Sequence, residues 1–373
     1  MISALLVSTV IVAAPQHEHG MECGLHLLAS IQQPTTESIP MSKWPQSEEV
    51  AGDPRETAIS NVVKLTFGGQ NAEAYWSVDG NRLVWQTTQP EFPDEQIFSM
   101  NADGSGKRLL STGLGRTTCS YFTPRGDWVY FSSTHEKNRG KQAPVDMSKG
   151  YVWRVNPEFA LYRVRPDGKD LQKVLEKAGY VAETTIAPDG KFMTLTGSWE
   201  GDLEIYRADL DGKNLTRLTS DFGYDGGPFI SWDSKKIVYR RSPSFATDAE
   251  RTEYSSLLRE NLVRPGRMDI WIMDADGKNK KQVTNLPGAS FAPFLHPNGR
   301  QVIFSSNHHD PKGREFDLFV VNVDGSGLRQ ITFTPDFDGF PMISRDGSKL
   351  VWSSNRFGSA PRETNVFVAD WEG

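Results

Sequence analysis

The sequence has few cysteines, no long apolar run and no excess of basic residues. Cys23 and Cys119 are its two cysteines, and we expect Cys119 to be a free, buried thiol, because pairing would require the N-terminal segment to fold over the rest of the chain. No run of about 18 or more apolar residues occurs, so no membrane span is expected. The net charge is −6, which argues against a nucleic-acid partner, since such a partner requires a basic face.

Motifs of common enzyme classes are also missing. Neither the G-x-S-x-G nucleophile elbow nor the H-E-x-x-H zinc motif occurs. The GSGK stretch at 104–107 resembles part of a phosphate loop, but it lies between two predicted strands and not before a helix. The sequence therefore favours a non-catalytic protein, which we expect to be a monomer.

One pattern occurs six times: an apolar strand, a turn centred on Asp-Gly or a related pair, and two more strands. A second Asp-Gly turn follows in the first five copies. The first turns are SVDG (77–80), TPRG (123–126), APDG (187–190), SWDS (231–234), HPNG (296–299) and SRDG (344–347). The second turns are NADG (101–104), RPDG (165–168), DLDG (209–212), DADG (274–277) and NVDG (322–325). Asp-Gly between alternating apolar runs predicts tight hairpins.

This repeat predicts an all-β fold, a six-bladed β-propeller with four-stranded antiparallel blades. A four-stranded unit of about 40–50 residues is one propeller blade. The sixth copy stops before its last strand, and the missing strand, VVKLTF at 62–67, precedes the first copy. We predict that residues 62–67 form the outer strand of blade six, because closing the ring removes the open sheet edges.

The region before the repeats divides in two. Residues 1–15 resemble the apolar part of a signal peptide, although no basic residue precedes it, and this predicts a periplasmic or secreted protein. Residues 16–60 form a leader or linker, and residues 61–373 form the propeller. The leader contains four side chains that could bind zinc or copper as an alternative to being unstructured: His17, His19, Cys23 and His26.

Propeller connectivity predicts which loops share a face. If the strands of a blade are named a to d outward from the channel, both families of Asp-Gly turns lie on one face. The b–c loops and the d–a loops between blades then lie on the other, which we call the loop-rich face. Two insertions, 134–158 and 242–267, are b–c loops. Thr247 and Glu250 are spaced as a capping box, which predicts a helix over about 247–262.

Acidic residues of the d–a loops are predicted to meet at the channel mouth. Glu73 and Glu183 both lie seven residues before the glycine of a first turn, and Asn71, Asp225 and Asp338 lie nine residues before the equivalent position. Four carboxylates near one axis could bind calcium. Alternatively, they bond to backbone amides of neighbouring blades or face water in the channel.

Other candidate ligand-binding residues lie in the b–c loops or at the ends of b strands. Three histidines there are either exposed loop residues or ligands of a metal or substrate. Three arginines could pair with the carboxylates or with an anionic ligand. These residues are His135, His308, His309, Arg240, Arg241 and Arg356.

The repeat resembles that of the TolB-type, WD40-like propeller. The shared pattern is L-T-x(n)-P-x-x-S-x-D-G-x-x-L/I-V-W/Y followed by D-L/I-W/F-V/I-M/V-D/N-A/V-D-G, and it covers about 62–373. The short stretch before the repeats is not expected to contain the N-terminal α/β domain of TolB. The resemblance implies a periplasmic or secreted propeller that binds a protein or peptide through one face. The alternative is an enzyme or a small-ligand or carbohydrate binder that uses the acidic channel mouth.

Overall fold

The structure is a computed structural model, and it describes residues 44–242, 245, 247–335 and 337–373. Before the first insertion the strands are β1 (Glu48–Glu49), β2 (Ile59–Lys64), β3 (Gln70–Trp76), β4 (Arg82–Thr88), β5 (Gln96–Asn101), β6 (Arg108–Leu109), β7 (Thr117–Phe122) and β8 (Val129–Ser133). A 3-10 turn at Met147–Lys149 lies within that insertion. The next strands are β9 (Trp153–Arg154), β10 (Ala160–Val164), β11 (Gln172–Leu175), β12 (Val181–Ile186), β13 (Met193–Gly197), β14 (Glu204–Ala208), β15 (Thr216–Arg217), β16 (Asp225–Ile230) and β17 (Lys236–Arg241).

The second insertion contains one helix, α1 (Asp248–Arg259). The remaining strands are β18 (Leu262–Val263), β19 (Asp269–Asp274), β20 (Lys281–Gln282), β21 (Ser290–Leu295), β22 (Gln301–Ser306), β23 (Asp317–Asn322), β24 (Arg329–Gln330), β25 (Asp338–Ile343), β26 (Lys349–Ser354) and β27 (Asn365–Trp371). None of the helices in the described ranges is long and apolar enough to cross a membrane.

The predicted six-bladed propeller is confirmed. Blades one to five are the antiparallel sheets β3-β4-β5-β6, β7-β8-β10-β11, β12-β13-β14-β15, β16-β17-β19-β20 and β21-β22-β23-β24. Blade six is β25-β26-β27-β2, with β1 added outside β2. The core consists of apolar side chains at consecutive positions of these strands, because both faces of each blade are buried against its neighbours, and it includes the fully buried Trp85 and Trp352.

The tight turns have the backbone conformation that the sequence predicts. At the first turn of blade one, Gly80 has φ 71° and its N–H donates to the carbonyl of Ser77 at 2.9 Å. In blade four Ser234 takes the glycine position, and it keeps the left-handed conformation with φ 62°. The turn geometry therefore persists where the preferred residue is absent.

The N-terminal strand closes the ring, as predicted. Strand β2 pairs antiparallel with β27, and its bounds lie three residues earlier than the predicted 62–67. Just after β2, the hydroxyl of Thr66 accepts the N–H of Val366 at 2.8 Å. A Ser or Thr just after strand d makes the same bond to strand c in four other blades: Ser111 to Ile97, Thr219 to Ile205, Thr284 to Ile270 and Thr332 to Leu318. Thr66 therefore supplies to blade six, from the other end of the chain, the contact that these blades supply internally.

The predicted helix is confirmed, with a shorter extent. α1 begins after Thr247, whose hydroxyl accepts the N–H of Glu250, and it ends at Arg259. Leu262, expected on the helix, lies in β18, because the chain leaves the helix at Glu260 and extends to pair with β9. The possible signal peptide at 1–15 and the residues His17, His19, Cys23 and His26 lie outside the described residues.

The two insertions fold together over the channel. Strand β9 of the blade-two insertion pairs with β18 of the blade-four insertion, Trp153 opposite Val263. The Trp153 ring packs edge-on against Phe291 of blade five at 6.3 Å, and Arg314 of blade five lies 5.0 Å from the Tyr151 ring. Blade five is opposite blade two in a ring of six, so this segment crosses the channel. We call residues 151–153 the strap, and residues 151–155 together with α1 and β18 the cap.

Candidate functional site

A β-bulge in the innermost strand of every blade builds a ring of six residues around the channel. Each inner strand changes register at the same place, for example between Ala72 and Tyr75 in blade one. The residue at the bulge has positive φ in all six blades, between 48° and 59°. These residues are Glu73, Cys119, Glu183, Gly227, Ala292 and Phe340, and all six line one small cavity.

Only blade four has glycine at this left-handed position, and the reason is steric. The guanidinium of Arg240 passes over Gly227, where an added Cβ would collide with Nη1. Non-glycine residues in this conformation cost about 1–3 kcal/mol each. The chain nevertheless has Glu73, Cys119 and Glu183 on three consecutive blades, so these side chains are kept despite the strain.

The cavity, which we call the chamber, lies between two layers of side chains. On the side of the tight turns, the Tyr75 ring contacts Phe229 of the opposite blade at 5.1 Å and Tyr121 at 5.9 Å. On the loop-rich side, the Trp153 ring of the strap lies 5.8 Å from Cζ of Arg240, which itself lines the chamber. The water-accessible volume is about 40 Å³, which is room for a few water molecules.

Glu183 is held by several donors. The Tyr224 hydroxyl donates to it at 3.0 Å, the Gly227 N–H donates at 2.8 Å, and Arg240 forms an ion pair with it. Burial alone would raise the pKa of this carboxyl, but the Arg240 charge and these hydrogen bonds outweigh burial and lower it. Glu183 is therefore an ionised group with its lone pairs largely occupied.

Glu73 differs from Glu183, because its main polar neighbour is the thiol of Cys119. Burial raises the pKa of Glu73 to about 7, a rise to which the Glu183 charge adds and which the Cys119 hydrogen bond opposes. Burial and the two nearby carboxylates also raise the pKa of the Cys119 thiol well above its usual value. Near neutral pH, Glu73 can thus exchange a proton, whereas Cys119 stays protonated.

Asp225 and Asp338 do not line the chamber; they lie at the buried starts of β16 and β25. Asp338 accepts the Trp352 indole N–H at 3.2 Å and pairs with Arg356 at 3.2 Å. In blade one, Asn71 accepts the Trp85 indole N–H in the same way at 3.1 Å. At the first-strand position of Asn71 and Asp338, the side chain therefore links strand a to strand b of its own blade.

Asp225 is the exception among these starting positions. Neither of its carboxylate oxygens has a hydrogen-bond partner among the described residues, and the closest cation is Nε of Arg241 at 3.6 Å. Burial raises the pKa of Asp225 well above its usual value, although Arg241 opposes the rise. Asp225 is consequently a buried acid inside blade four, and Arg241 is its neighbour, not a ligand of the chamber.

The three candidate histidines lie away from the chamber. His135 is buried, with its ring 4.3 Å from that of Tyr162 and its Nδ1 2.8 Å from the Ser133 hydroxyl. The rings of His308 and His309 lie 4.0 Å apart and tilted beside Phe319, and burial lowers the pKa of His308 to about 4. In the part of the chain that the structure describes, no three His, Cys, Asp or Glu side chains are grouped as metal ligands.

The structure thus brings together Glu73, Glu183 and Arg240 of the predicted set. Sequence reasoning did not assign Cys119, Tyr224 or Gly227 to the site. Counting seven residues back from each first turn gives Cys119 and Gly227 as well as the two glutamates, so the signal was present for two of them. Tyr224 lies outside that register and was not detectable by counting.

The fold and the site place this protein in one structural class: six-bladed propellers whose channel is covered by a cap made of two b–c insertions. Residues 240–370 match the family model described as the TolB beta propeller domain. That part of the chain is therefore similar to the TolB propeller repeat, and the sheet order shows the six-bladed propeller fold.

Comparison with known proteins gives relatives of the same fold. An uncharacterized protein of Agrobacterium fabrum is 26% identical over 60% of this chain and 69% of its own length. The solved structure of a TolB from Agrobacterium tumefaciens has a TM-score of 0.57 at 19% identity, covering 83% of this chain and 93% of that one. A gluconolactonase of Xanthomonas campestris has a TM-score of 0.55 at 13% identity, covering 88% and 94%. At these identities the likeness to solved structures concerns the fold alone.

Proposed function

We propose that this protein is a non-catalytic, periplasmic or secreted binding protein that contacts a protein or peptide partner through its cap. The observation that carries the proposal is the pairing of β9 with β18, which joins insertions of two different blades. Loops on a rigid scaffold commonly carry binding function. Here two such loops form one ordered surface on the loop-rich face, and the TolB-type repeat supports the location.

The outer surface of the cap region has the composition of a binding surface. Tyr151 is 49% exposed and Phe222, in the neighbouring d–a loop, is 41% exposed. Each has an arginine over its ring, Arg314 at 5.0 Å and Arg251 at 5.3 Å. Aromatic residues and arginine are enriched at protein interfaces and among the residues that dominate binding energy.

Partner capture from envelope extract tests the proposal. The double variant Tyr151→Ser, Phe222→Ser should retain less of the partner than the wild type, because it removes exposed aromatic area and leaves the blades intact. Leu328→Ser is the matched control, since Leu328 is also 41% exposed but lies between the tight turn at 322–325 and β24 of blade five, on the opposite face. Equal capture by the double variant and the wild type would refute the proposal.

Calcium remains a prediction for the channel region. Glu73 and Glu183 are the carboxylates that line the chamber, and Glu183 already forms an ion pair with Arg240. Calcium takes about 6–8 oxygen ligands, so water or a ligand would have to supply most of them. A fall in melting temperature after EDTA treatment, reversed by added calcium, would support the prediction, and an unchanged melting temperature would count against it.

A further inference from the structure

The chamber contains a carboxylate whose capacity for hydrogen bonds is largely unused. Glu183 receives the Tyr224 hydroxyl, the Gly227 N–H and the Arg240 guanidinium. Among the described residues Glu73 has only the Cys119 thiol as a hydrogen-bonding neighbour. Glu73 is half-buried, because it faces the chamber and not the packed interior of the blade.

The chamber also contains an unused donor. Arg240 is 8% exposed and lines the chamber, and its Nη2 donates hydrogen bonds to Glu183 and to the Tyr224 hydroxyl. Its Nε–H has no acceptor among the described residues. Buried polar groups are almost always hydrogen-bonded to protein or to ordered water. The free acceptor of Glu73 and the free donor of Arg240 therefore need partners in the chamber, which water can supply or which a molecule with one group of each kind can replace.

The charge and the lining indicate which molecule fits. Glu73 and Glu183 outweigh Arg240 when both acids are ionised, so the chamber favours a cation. The rings of Tyr75, Phe229 and Phe340 also line it. A carboxylate beside aromatic rings is a favourable environment for an organic ammonium group. The volume of about 40 Å³ restricts the ligand to a few non-hydrogen atoms.

We propose that the chamber binds a small primary amine that also carries an oxygen acceptor. Its ammonium group donates to Glu73, and its oxygen accepts from Nε of Arg240. Ethanolamine is the simplest molecule of this class and is the probe for the test. This site goes beyond the proposed partner surface, because it lies beneath the strap and uses none of the exposed aromatic residues of the cap region.

Cys119 provides a built-in reporter, because its thiol lies next to Glu73 in the chamber wall. In a full-length Cys23→Ser variant, Cys119 is the single thiol, and its rate of alkylation by iodoacetamide can be followed by mass spectrometry. We expect ethanolamine to slow alkylation saturably, about two-fold when its concentration equals its dissociation constant. Ethylene glycol and sodium acetate, matched in size and in ionic strength, should not slow it.

Two variants assign the effect to the carboxylate. Glu73→Gln should lose the protection by ethanolamine, whereas Glu91→Gln, which alters an exposed glutamate, should keep it. The rise in melting temperature that ethanolamine causes should also be smaller at about pH 5.5 than at about pH 8, because protonated Glu73 offers no charge to the ammonium group.

Thermal denaturation is the second measurement, and it decides the matter if Cys119 reacts too slowly to follow. Ethanolamine should raise the melting temperature of the wild type and of Glu91→Gln but not of Glu73→Gln. An absent shift in the wild type, an equal shift in Glu73→Gln, or an equal effect of ethylene glycol would overturn the proposal. None of these outcomes depends on the cap variants, so failure here is distinguishable from failure of partner binding.

Discussion

At the scale of single residues, the channel wall depends on one left-handed backbone position that is repeated in six blades. Gly227 is the one glycine in this ring, and the reason is the guanidinium that crosses it. Ala292 has the same conformation in blade five, where Ser305 takes the place that Arg240 has in blade four, so the conformation alone does not exclude a side chain.

Gly227→Ala is therefore expected to destabilise the protein mainly through the clash with Arg240. We expect a loss of about 3 kcal/mol in the free energy of unfolding, from overpacking together with the left-handed conformation. The matched control is Gly80→Ala, which has φ 71° but open space around the added methyl group and should cost about 1 kcal/mol. Urea denaturation of both variants measures the difference, and equal losses would show that the Arg240 guanidinium does not lie over Gly227.

Asp317 makes stability depend on pH. It is buried at the start of β23, and burial, with the nearby charge of Asp338, raises its pKa to about 7, above the value of 3.8 expected in the unfolded chain. The folded state therefore holds this proton more tightly than the unfolded state. The resulting stabilisation is fully present below about pH 4 and is lost as the pH rises through about 7.

Asp317→Asn removes the charge and should remove this dependence. Its free energy of unfolding should exceed that of the wild type at about pH 8 by more than at about pH 5. Asp324→Asn is the control, because hydrogen bonds from Ser326 lower the pKa of this exposed turn carboxyl and removing it should not stabilise the protein. Urea titrations at both pH values measure the effect, and a difference independent of pH would contradict the assignment.

At the scale of elements, strand β2 is the outer strand of blade six, and Thr66 just after it makes the bond that a Ser or Thr makes in four other blades. Thr66→Val should leave the Val366 N–H buried without its partner, at a cost of about 1–3 kcal/mol. Thr284→Val in blade four removes the equivalent bond to Ile270 and should cost a similar amount. Chemical denaturation compares the two variants. A neutral Thr66→Val beside a destabilising Thr284→Val would mean that β2 does not close the ring as described.

Much of this architecture could be predicted from the sequence because the repeat is local. Asp-Gly turns fix each hairpin, and the fixed distance to the turn identifies Glu73 and Glu183 as equivalent. It could not be predicted in this way that the side chains of Asp225 and Asp338 lie inside their blades and not in the chamber. Side chains two residues apart share a face in a regular strand, but the bulge between positions 226 and 229 or 339 and 342 breaks that rule.

The cap could not be predicted from local pattern either. The capping box at Thr247 predicted α1, yet β9 and β18 are two residues each, too short for a periodic signal. Their pairing joins parts of the chain more than a hundred residues apart. Such contacts depend on how the blades are arranged in the ring, which the sequence of either insertion does not contain.

At the scale of the whole molecule, the two faces of the propeller differ in the loops that they carry. One face carries uniform tight turns, and the other carries the cap, which crosses the channel from blade two to blade five. The exposed aromatic side chains of the cap region lie on the same face as the strap, which lies on the loop-rich side of the chamber. The central claim is therefore that partners meet the cap and not the tight-turn face.

Site-specific photo-crosslinking in cells that produce the protein tests this claim most directly. A benzophenone-bearing amino acid replaces Phe222 beside the cap or, in a second strain, Leu328 on the tight-turn face; both side chains are 41% exposed. The account predicts a discrete crosslinked adduct from position 222 and none from position 328. An adduct from position 328 with none from position 222 would contradict it.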